Sequence, residues 1–251
     1  MYQEMSCLKP YEQAVFAGLN EFEIAQKQLE THKKHLEALG TVVCRYGLQD
    51  VIGISLLHKH FDISSNEIVV REFVANEAYT KPFPKNDETK AIAYVWKLHW
   101  DETTGRYTYY PLEFLYCNER TKEAERMASI IEQSDTFLSE MADTLLQLGV
   151  QDIFGISTLN HDATIEVKPE EFLSETTDYE KRTLRIRPEL KEESILNRSA
   201  ETLWRFTLPE GLQANPQIGC DIGCTVRLDC NPGSVTAAMH CTCGPHRPTI
   251  I

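Results

Sequence analysis

Two histidines with the spacing His-x-His, His58 and His60, lie in a largely apolar run at residues 53–61 that indicates a β-strand. Because side chains alternate along a strand, both imidazoles are expected on one face, together with Ile54 and Leu56. Imidazole nitrogens bind zinc, manganese and iron(II), and a histidine can also act as a general base near neutral pH. The pair is therefore a candidate metal or catalytic site.

The segment that leads into this pair occurs twice in the chain. Residues 47–57 and 149–159 are identical at seven of eleven positions, and the second copy follows the first by 102 residues. In the second copy Asp162 takes the position of His60. Two copies that pack about a twofold axis, as subunits of a dimer do, would bring Asp162 toward His58 and His60. Two imidazoles and one carboxylate are the ligand set of a non-haem iron(II) site and also suit zinc.

Two other interpretations of the histidines stay open at this point. In the first, no metal is involved, and His58 or His60 acts as a general base that Asp62 or Asp162 orients. In the second, both rings are partly buried packing residues that bond to the backbone. The sequence alone does not distinguish these interpretations from a metal site.

A second candidate site lies near the end of the chain, where residues 220–251 hold five of the eight cysteines. Thiolates and imidazoles at short spacings can hold a tetrahedral zinc ion, which would stabilise a glycine-containing tail with little apolar surface. The alternatives are reduced thiols, a late disulfide, or a nucleophilic cysteine beside His240 or His246. The candidate ligands are Cys220, Cys224, Cys241, Cys243, His240 and His246.

The elements that would position these residues follow the same order twice. Residues 11–45 and 121–147 carry apolar side chains at helical spacing, and each stretch leads to a glycine, Gly47 or Gly149, and then to the repeated strand. Residues 93–100 and 106–114 flank a turn at 101–105 and predict a hairpin. The sequence therefore predicts an α+β fold of two tandem pseudo-symmetric repeats, each a helix followed by antiparallel strands, packed into one body with a cysteine-rich tail. The expected boundaries are 1–118, 119–210 and 211–251.

The overall composition narrows the range of partners. A net charge of −13 repels nucleic acids and anionic membranes, and no segment has the length of a membrane span or the pattern of a secretory signal. These features predict an acidic cytoplasmic protein without nucleic-acid or membrane partners, and they do not fix its oligomeric state. The sequence also lacks the glycine-rich loops that bind nucleotide phosphates.

These observations predict a soluble metal-binding protein. They leave open whether it is an intracellular enzyme that acts on a small molecule at the seam between the two repeats. The expected metal is zinc, with non-haem iron as the alternative. Five aromatic side chains are candidates for the wall of the pocket, with cross-strand packing as the alternative interpretation: Trp96, Trp100, Tyr107, Tyr109 and Trp204. The rival prediction is a non-enzymatic interaction module whose tail is stabilised by zinc.

The run at residues 56–61, Leu-Leu-His-Lys-His-Phe, resembles a motif of uncharacterised fungal proteins. The resemblance covers this one short segment. It implies an intracellular protein and carries no known activity.

Overall fold

The chain has the α+β fold that its sequence predicts. A computed structural model describes residues 7–86, 90–159, 165–190, 199–207, 217–228 and 235–239, with residues 199–200, 217–228 and 235–239 described by their backbone. The helices are α1 (Gln13–Ala17), α2 (Phe22–His32), α3 (Leu36–Arg45), α4 (Lys122–Glu132) and α5 (Asp135–Leu148), with short 3-10 helices at Lys33–His35 and Glu119–Thr121. The strands are β1 (Ile52–Leu56), β2 (Glu67–Val74), β3 (Glu77–Pro84), β4 (Ala91–Asp101), β5 (Arg106–Tyr116), β6 (Phe154–Thr158), β7 (Glu171–Asp178), β8 (Thr183–Leu190), β9 (Ser199–Thr207), β10 (Gln217–Leu228) and β11 (Val235–Met239).

These strands form one closed sheet. Their order around the barrel is β1-β6-β4-β5-β2-β3-β8-β7-β11-β10-β9, and β9 pairs with β1 to close it. The pair β2 and β5 is parallel, and the other pairs between the described strands are antiparallel. Part of the cysteine-rich region thus belongs to the sheet, because β10 and β11 lie between β9 and β7.

Two apolar cores lie on opposite faces of the sheet at β1 and β6. Ile54 and Ile156 face outward and pack beneath the helices, against residues such as Leu39 and Leu145. The second core lies on the inner face of the sheet and extends to α1. This division follows from the alternation of side chains along β1 and β6.

The two predicted long helices are each divided. The first becomes α1, α2, a 3-10 turn and α3, and the second becomes α4 and α5 with a break at Gln133 and Ser134. Their apolar spacing continues across the breaks, which is why periodicity alone indicates one helix in each case. Both repeated glycines follow their helices in the left-handed conformation, with φ of 67° at Gly47 and 66° at Gly149.

The first repeated strand is shorter than the predicted run to residue 61. Its ladder with β6 ends where Leu56 faces Phe154, and one further bond joins Leu57 N to Ile153 O at 2.8 Å. Because β6 begins at Phe154, the segment that carries His58 and His60 leaves the sheet. The expected alternation of Ile54, Leu56, His58 and His60 on one face is therefore wrong.

The repeated segments pair with each other in an antiparallel register centred on corresponding residues. Ile54 faces Ile156, its counterpart 102 positions later. On the outer sides of this pair, Ile54 also faces Trp204 of β9, and Ile156 faces Trp96 of β4. Across the barrel, β3 and β8 pair with Tyr79 opposite Arg185, each the third residue of its strand.

Close approach of neighbouring strands explains the glycines inside β1 and β6. A Cβ atom at Gly155 would lie 2.5 Å from the carbonyl oxygen of Trp96 and 2.7 Å from Cδ2 of Leu57. At Gly53 it would lie 2.8 Å from side-chain atoms of Leu159 and Leu203. Any side chain here must push neighbouring strands apart.

We expect Gly155→Ala to lower the free energy of unfolding by about 2 kcal/mol, because the added methyl group overlaps a strand carbonyl that cannot rotate away. Urea unfolding followed by circular dichroism measures the change. Gly18→Ala is the control, since a Cβ there would lie 3.5 Å from the nearest atom, Ala14 O, which is an ordinary contact. Equal stability of the two variants would show that the strands can separate without cost.

An ion pair joins the start of β2 to the turn between β7 and β8. Arg182 donates from Nη1 and Nη2 to the two carboxylate oxygens of Glu67, at 2.6 and 2.9 Å. These bonds, with one from the backbone of Ser64, hold the pKa of Glu67 at about 2, below its usual 4.5. A lowered carboxyl pKa stabilises the fold at pH values above 4.5, and this stabilisation is lost as the pH falls through about 2.

Replacing this arginine, Arg182→Gln, is expected to raise the pKa of Glu67 toward its usual value and to cost about 1 kcal/mol of stability at pH 7, since Arg182 is partly exposed. The stability difference from the parent chain should shrink as the pH falls below 4.5. NMR titration of the Glu67 carboxyl carbon and urea unfolding at several pH values test this. Arg126→Gln, which removes an exposed pair with Glu123 on α4, should leave both readings unchanged.

Candidate functional site

A polar cavity lies inside the barrel and is lined by both halves of the chain. Its volume is about 60 Å³, which corresponds to a few water molecules or a very small ligand. The end of β1 and the segment after it form one wall, and strands β2 to β9 contribute the others. Its polar lining includes Ser55, His58, His60, Arg71, Thr80, Tyr94, Glu113, Ser157, Glu175 and Thr202.

His58 is fixed in orientation by the backbone. Its Nδ1 lies 2.9 Å from the carbonyl oxygen of Leu56, and its ring meets the ring of Phe22 edge-on at 5.1 Å. A carbonyl oxygen can only accept, so Nδ1 carries the hydrogen. Burial lowers the pKa of His58, which keeps the ring neutral and leaves a lone pair on Nε2.

The Nε2 atoms of His58 and His60 lie 3.2 Å apart, within hydrogen-bonding distance, and the ring centroids are 4.9 Å apart with an interplanar angle of 79°. Burial, the His58 ring and the Arg71 guanidinium together hold the pKa of His60 well below its usual range.

A buried acid and a buried base complete this end of the cavity. Glu175 and Arg71 have side chains 1% and 4% exposed, and Glu175 Oε1 lies 3.9 Å from Arg71 Nη2. The other carboxylate oxygen, Oε2, lies 3.7 Å from Nε2 of His60. Arg71 also donates from Nε to Thr80 Oγ1 at 2.9 Å and lies over the ring of Tyr94 at 5.2 Å.

Sequence reasoning did not single out Arg71 or Glu175. Each is the fifth residue of its strand, β2 or β7; Arg71 follows three apolar residues, and Glu175 follows two apolar residues and Ser174. A charged side chain inside a run such as Ile68-Val69-Val70-Arg71 is a usable signal, because burying a charge requires a partner. The run does not reveal which residue that partner is.

Several residues singled out by sequence lie elsewhere. Asp62 is exposed and bonds to Lys59 at 2.7 Å, so it does not orient His58 or His60. Asp162 lies outside the described residues.

The candidate ligands of the cysteine-rich region are described in part. Cys220 and Cys224 belong to β10, where their backbones face Trp204 and Ala200. Cys241, Cys243, His240 and His246 lie outside the described residues. Among the residues that the structure describes, no three His, Cys, Asp or Glu side chains form, as they stand, a group that can hold a metal ion.

The expected aromatic wall of the pocket is wrong, because none of its five residues lines this cavity. Trp96, Tyr109 and Trp204 belong to the outer core beneath the helices. Trp100 and Tyr107 meet edge-on near the tip of the β4–β5 hairpin and are 40% and 39% exposed. An irregularity in β4 explains the difference: the register with β5 shifts on both sides of Val95, which breaks the strict alternation, so Tyr94 lines the cavity while Trp96, two residues later, packs in the outer core.

Comparisons with protein-family models, curated proteins and solved structures found no match for this chain. The site is therefore interpreted from its own geometry. Within the described residues, no helix combines the length and the apolar character needed to cross a membrane.

The buried charge pair gives a testable expectation for stability. Arg71→Met should lower the free energy of unfolding by about 3 kcal/mol, because it leaves the Glu175 carboxylate buried beside an apolar group. Urea unfolding of Arg71→Met, Glu175→Gln and the double variant should show that the double change costs less than the two single changes added together. Arg187→Met, at a half-exposed arginine that pairs with Glu189, is the control. A loss no larger than that of the control would contradict the expectation.

Proposed function

We propose that the protein binds a divalent metal ion between His58 and His60 and presents it to a small polar molecule in the cavity between the two halves of the chain. The observation that carries the proposal is the 3.2 Å separation of the two Nε2 atoms in the lining of a polar cavity, a separation that two nitrogens bound to one metal ion can have. The hydrogen bond from His58 Nδ1 to Leu56 O supports it, because metal-binding histidines generally donate their second N–H in this way.

The two Nε2 atoms also satisfy the geometry of an N–H···N hydrogen bond between the rings. Their separation of 3.2 Å is compatible both with a shared proton and with one ion bound by each nitrogen through a bond of about 2.1 Å. Metal titration distinguishes the two arrangements.

The metal chemistry that suits this setting is Lewis-acid chemistry on an oxygen atom. A bound zinc ion polarises a substrate oxygen or lowers the pKa of a bound water, and iron(II) or manganese is the alternative for a mixed histidine and carboxylate site. The residues of the chain supply orientation, through Leu56 and Phe22 on His58, and exclusion of bulk water.

Charge and size define the molecule that fits. Lys59, Arg71, Glu113 and Glu175 are the charged side chains other than histidine that line the cavity. Lys59 is paired with the Asp62 carboxylate, so the formal charges of the other three leave a divalent ion with one positive charge in excess. A buried excess charge is costly, so a small anion such as a carboxylate suits the cavity better than a neutral molecule. A volume of about 60 Å³ limits that molecule to a few non-hydrogen atoms.

We also infer that the two halves arose by tandem duplication and are related by a pseudo-twofold axis. The matching order of helix, glycine and strand supports this, as does the pairing of Ile54 with Ile156 and of Tyr79 with Arg185. Such an axis passes through the barrel, and the cavity lined by both halves then lies at their seam.

A zinc site formed by the cysteine-rich region stays a separate prediction. It belongs to the alternative in which the protein is a non-enzymatic interaction module. A single set of variants distinguishes the two sites.

Metal titration of the full chain tests the proposal. After treatment with a chelator, the protein is titrated with Zn²⁺ by calorimetry and with Co²⁺ by visible absorption. His58→Gln should weaken binding by at least about 100-fold, because it removes one of the ligands. His32→Gln is the matched control. His32 and His35 form a second pair of histidine rings, with centroids 6.0 Å apart, at the C-terminal end of α2.

Two results would overturn the proposal: a chain that binds neither ion, or a His58→Gln variant that binds as the parent chain does. Metal lost in Cys220→Ser but retained in His58→Gln would assign the ion to the cysteine-rich region. The histidines would then form a hydrogen bond in which His60 donates to His58.

A further inference from the structure

We infer that a surface groove, formed by the β2–β3 turn, residues 166–171 and the end of β8, binds a protein segment in which an apolar side chain lies beside lysine or arginine. The groove is separate from the cavity inside the barrel, because the two share no lining residue. The inference therefore does not depend on the metal ion proposed above.

The groove has the size of a binding site. Its volume is about 710 Å³, which lies within the range of about 300 to 1,000 Å³ that is usual for ligand sites. The β2–β3 turn forms one wall and residues 166–171 form another, while Tyr79 and Pro188 add apolar surface from β3 and β8. A few side chains of a partner segment fit this space.

Hydrogen bonds hold the two walls in place. Asn76 Nδ2 donates to the backbone oxygen of Glu166 at 2.9 Å, and Asn76 Oδ1 accepts from the backbone nitrogen of Glu166 at 2.7 Å. In the same turn, the backbone oxygen of Ala75 accepts a hydrogen bond from Arg120 Nη1 at 2.8 Å. Walls that are already ordered lose little conformational entropy when a partner binds.

Exposed apolar side chains lie at this groove. Leu190 and Val74, which are 63% and 56% exposed, are the two most exposed large apolar side chains among the described residues. Val74 lines the groove, and Leu190 lies opposite Glu171 in the β7–β8 pair, where Glu171 is a lining residue. Apolar side chains gathered at an open concave surface are typical of interaction sites, so the apolar side chain of the partner is expected here.

The charges of the groove favour a basic partner over an acidic one. Four glutamates and two basic residues line it, which gives a formal charge of −2, and the whole chain carries −13. Complementary charge speeds the association of two proteins, and like charges across an interface discriminate against the wrong partner. Lysine or arginine in the bound segment would therefore add to the apolar contact.

Glu166 is the carboxylate best placed to receive that basic side chain. It is exposed, and it forms no ion pair with the residues that the structure describes. The other three glutamates already have basic partners, at 2.5, 3.6 and 2.7 Å: Glu77 with Arg185, Glu171 with Lys168, and Glu189 with Arg187.

Binding of short labelled peptides to the full chain tests the inference. The three probes are fluorescein-labelled peptides in which arginine alternates with leucine, arginine with serine, or glutamate with leucine. Fluorescence anisotropy should show saturable binding of the arginine–leucine peptide alone, and its affinity should fall as the ionic strength rises. Amide NMR shifts should locate the bound peptide at Val74, Asn76 and Glu166.

Glu166→Lys and Glu30→Lys form a matched pair, because both replace an exposed glutamate and change the net charge equally. Glu30 lies on α2 and does not line the groove. Glu166→Lys should weaken binding of the arginine–leucine peptide by at least about 10-fold, whereas Glu30→Lys should leave it unchanged. Val74→Asp should also weaken binding, since it removes apolar contact area at an exposed position.

Several results would overturn the inference. These are no saturable binding of the arginine–leucine peptide, equal affinities for all three peptides, equal affinities of Glu166→Lys and Glu30→Lys, or NMR shifts confined to residues outside the groove. A parent chain that forms a dimer in sedimentation velocity, and that Val74→Asp makes monomeric, would assign the groove to a second copy of this chain instead.

Discussion

The pairing of β1 with β6 is the constraint on which the rest of the barrel depends. Ile54 faces Ile156 at the centre of this pair, and each isoleucine also faces a tryptophan of the strand on its other side. Glycine at positions 53 and 155 lets the neighbouring backbones approach closely. The β1–β6 pair therefore combines hydrophobic burial under the helices with close strand packing inside the sheet.

The same pairing decides where chemistry can occur. The outward-facing residues Ile52, Ile54 and Leu56 of β1 and Phe154 and Ile156 of β6 are apolar, and they form the floor on which the helices pack. The inner face is less uniform: β2 contributes Arg71 at the position where β7 contributes Glu175. Because like charges at these two positions would repel inside the barrel, the opposite charges stabilise the closed sheet while also making its two halves chemically different.

Much of this architecture could be predicted from the sequence. The order of helix, left-handed glycine and strand follows from the apolar spacing and from Gly47 and Gly149, and the β4–β5 hairpin extends the predicted one by a few residues at most ends. These features are local, or they repeat, so the chain carries the signal for each of them twice.

The parts that sequence did not predict depend on pairing between distant strands. His58 and His60 leave the sheet because β6 begins at Phe154, and nothing near the histidines records that fact. Glu175 approaches His60 because β7 and the segment after β1 both border the cavity, although they are separated by more than a hundred residues. Periodicity describes which side of an element is apolar, but it does not specify the element on the opposite wall.

The strand β11 has a topological consequence. Each antiparallel junction reverses the strand direction, so a closed ring contains an even number of antiparallel junctions. A ring of eleven strands therefore needs an odd number of parallel junctions. The ring described here has one, between β2 and β5. β11 lies between β7 and β10 and makes both of its junctions antiparallel. Because eleven strands are an odd number, the ring keeps a parallel junction, and Arg71 lies at that junction opposite Leu115.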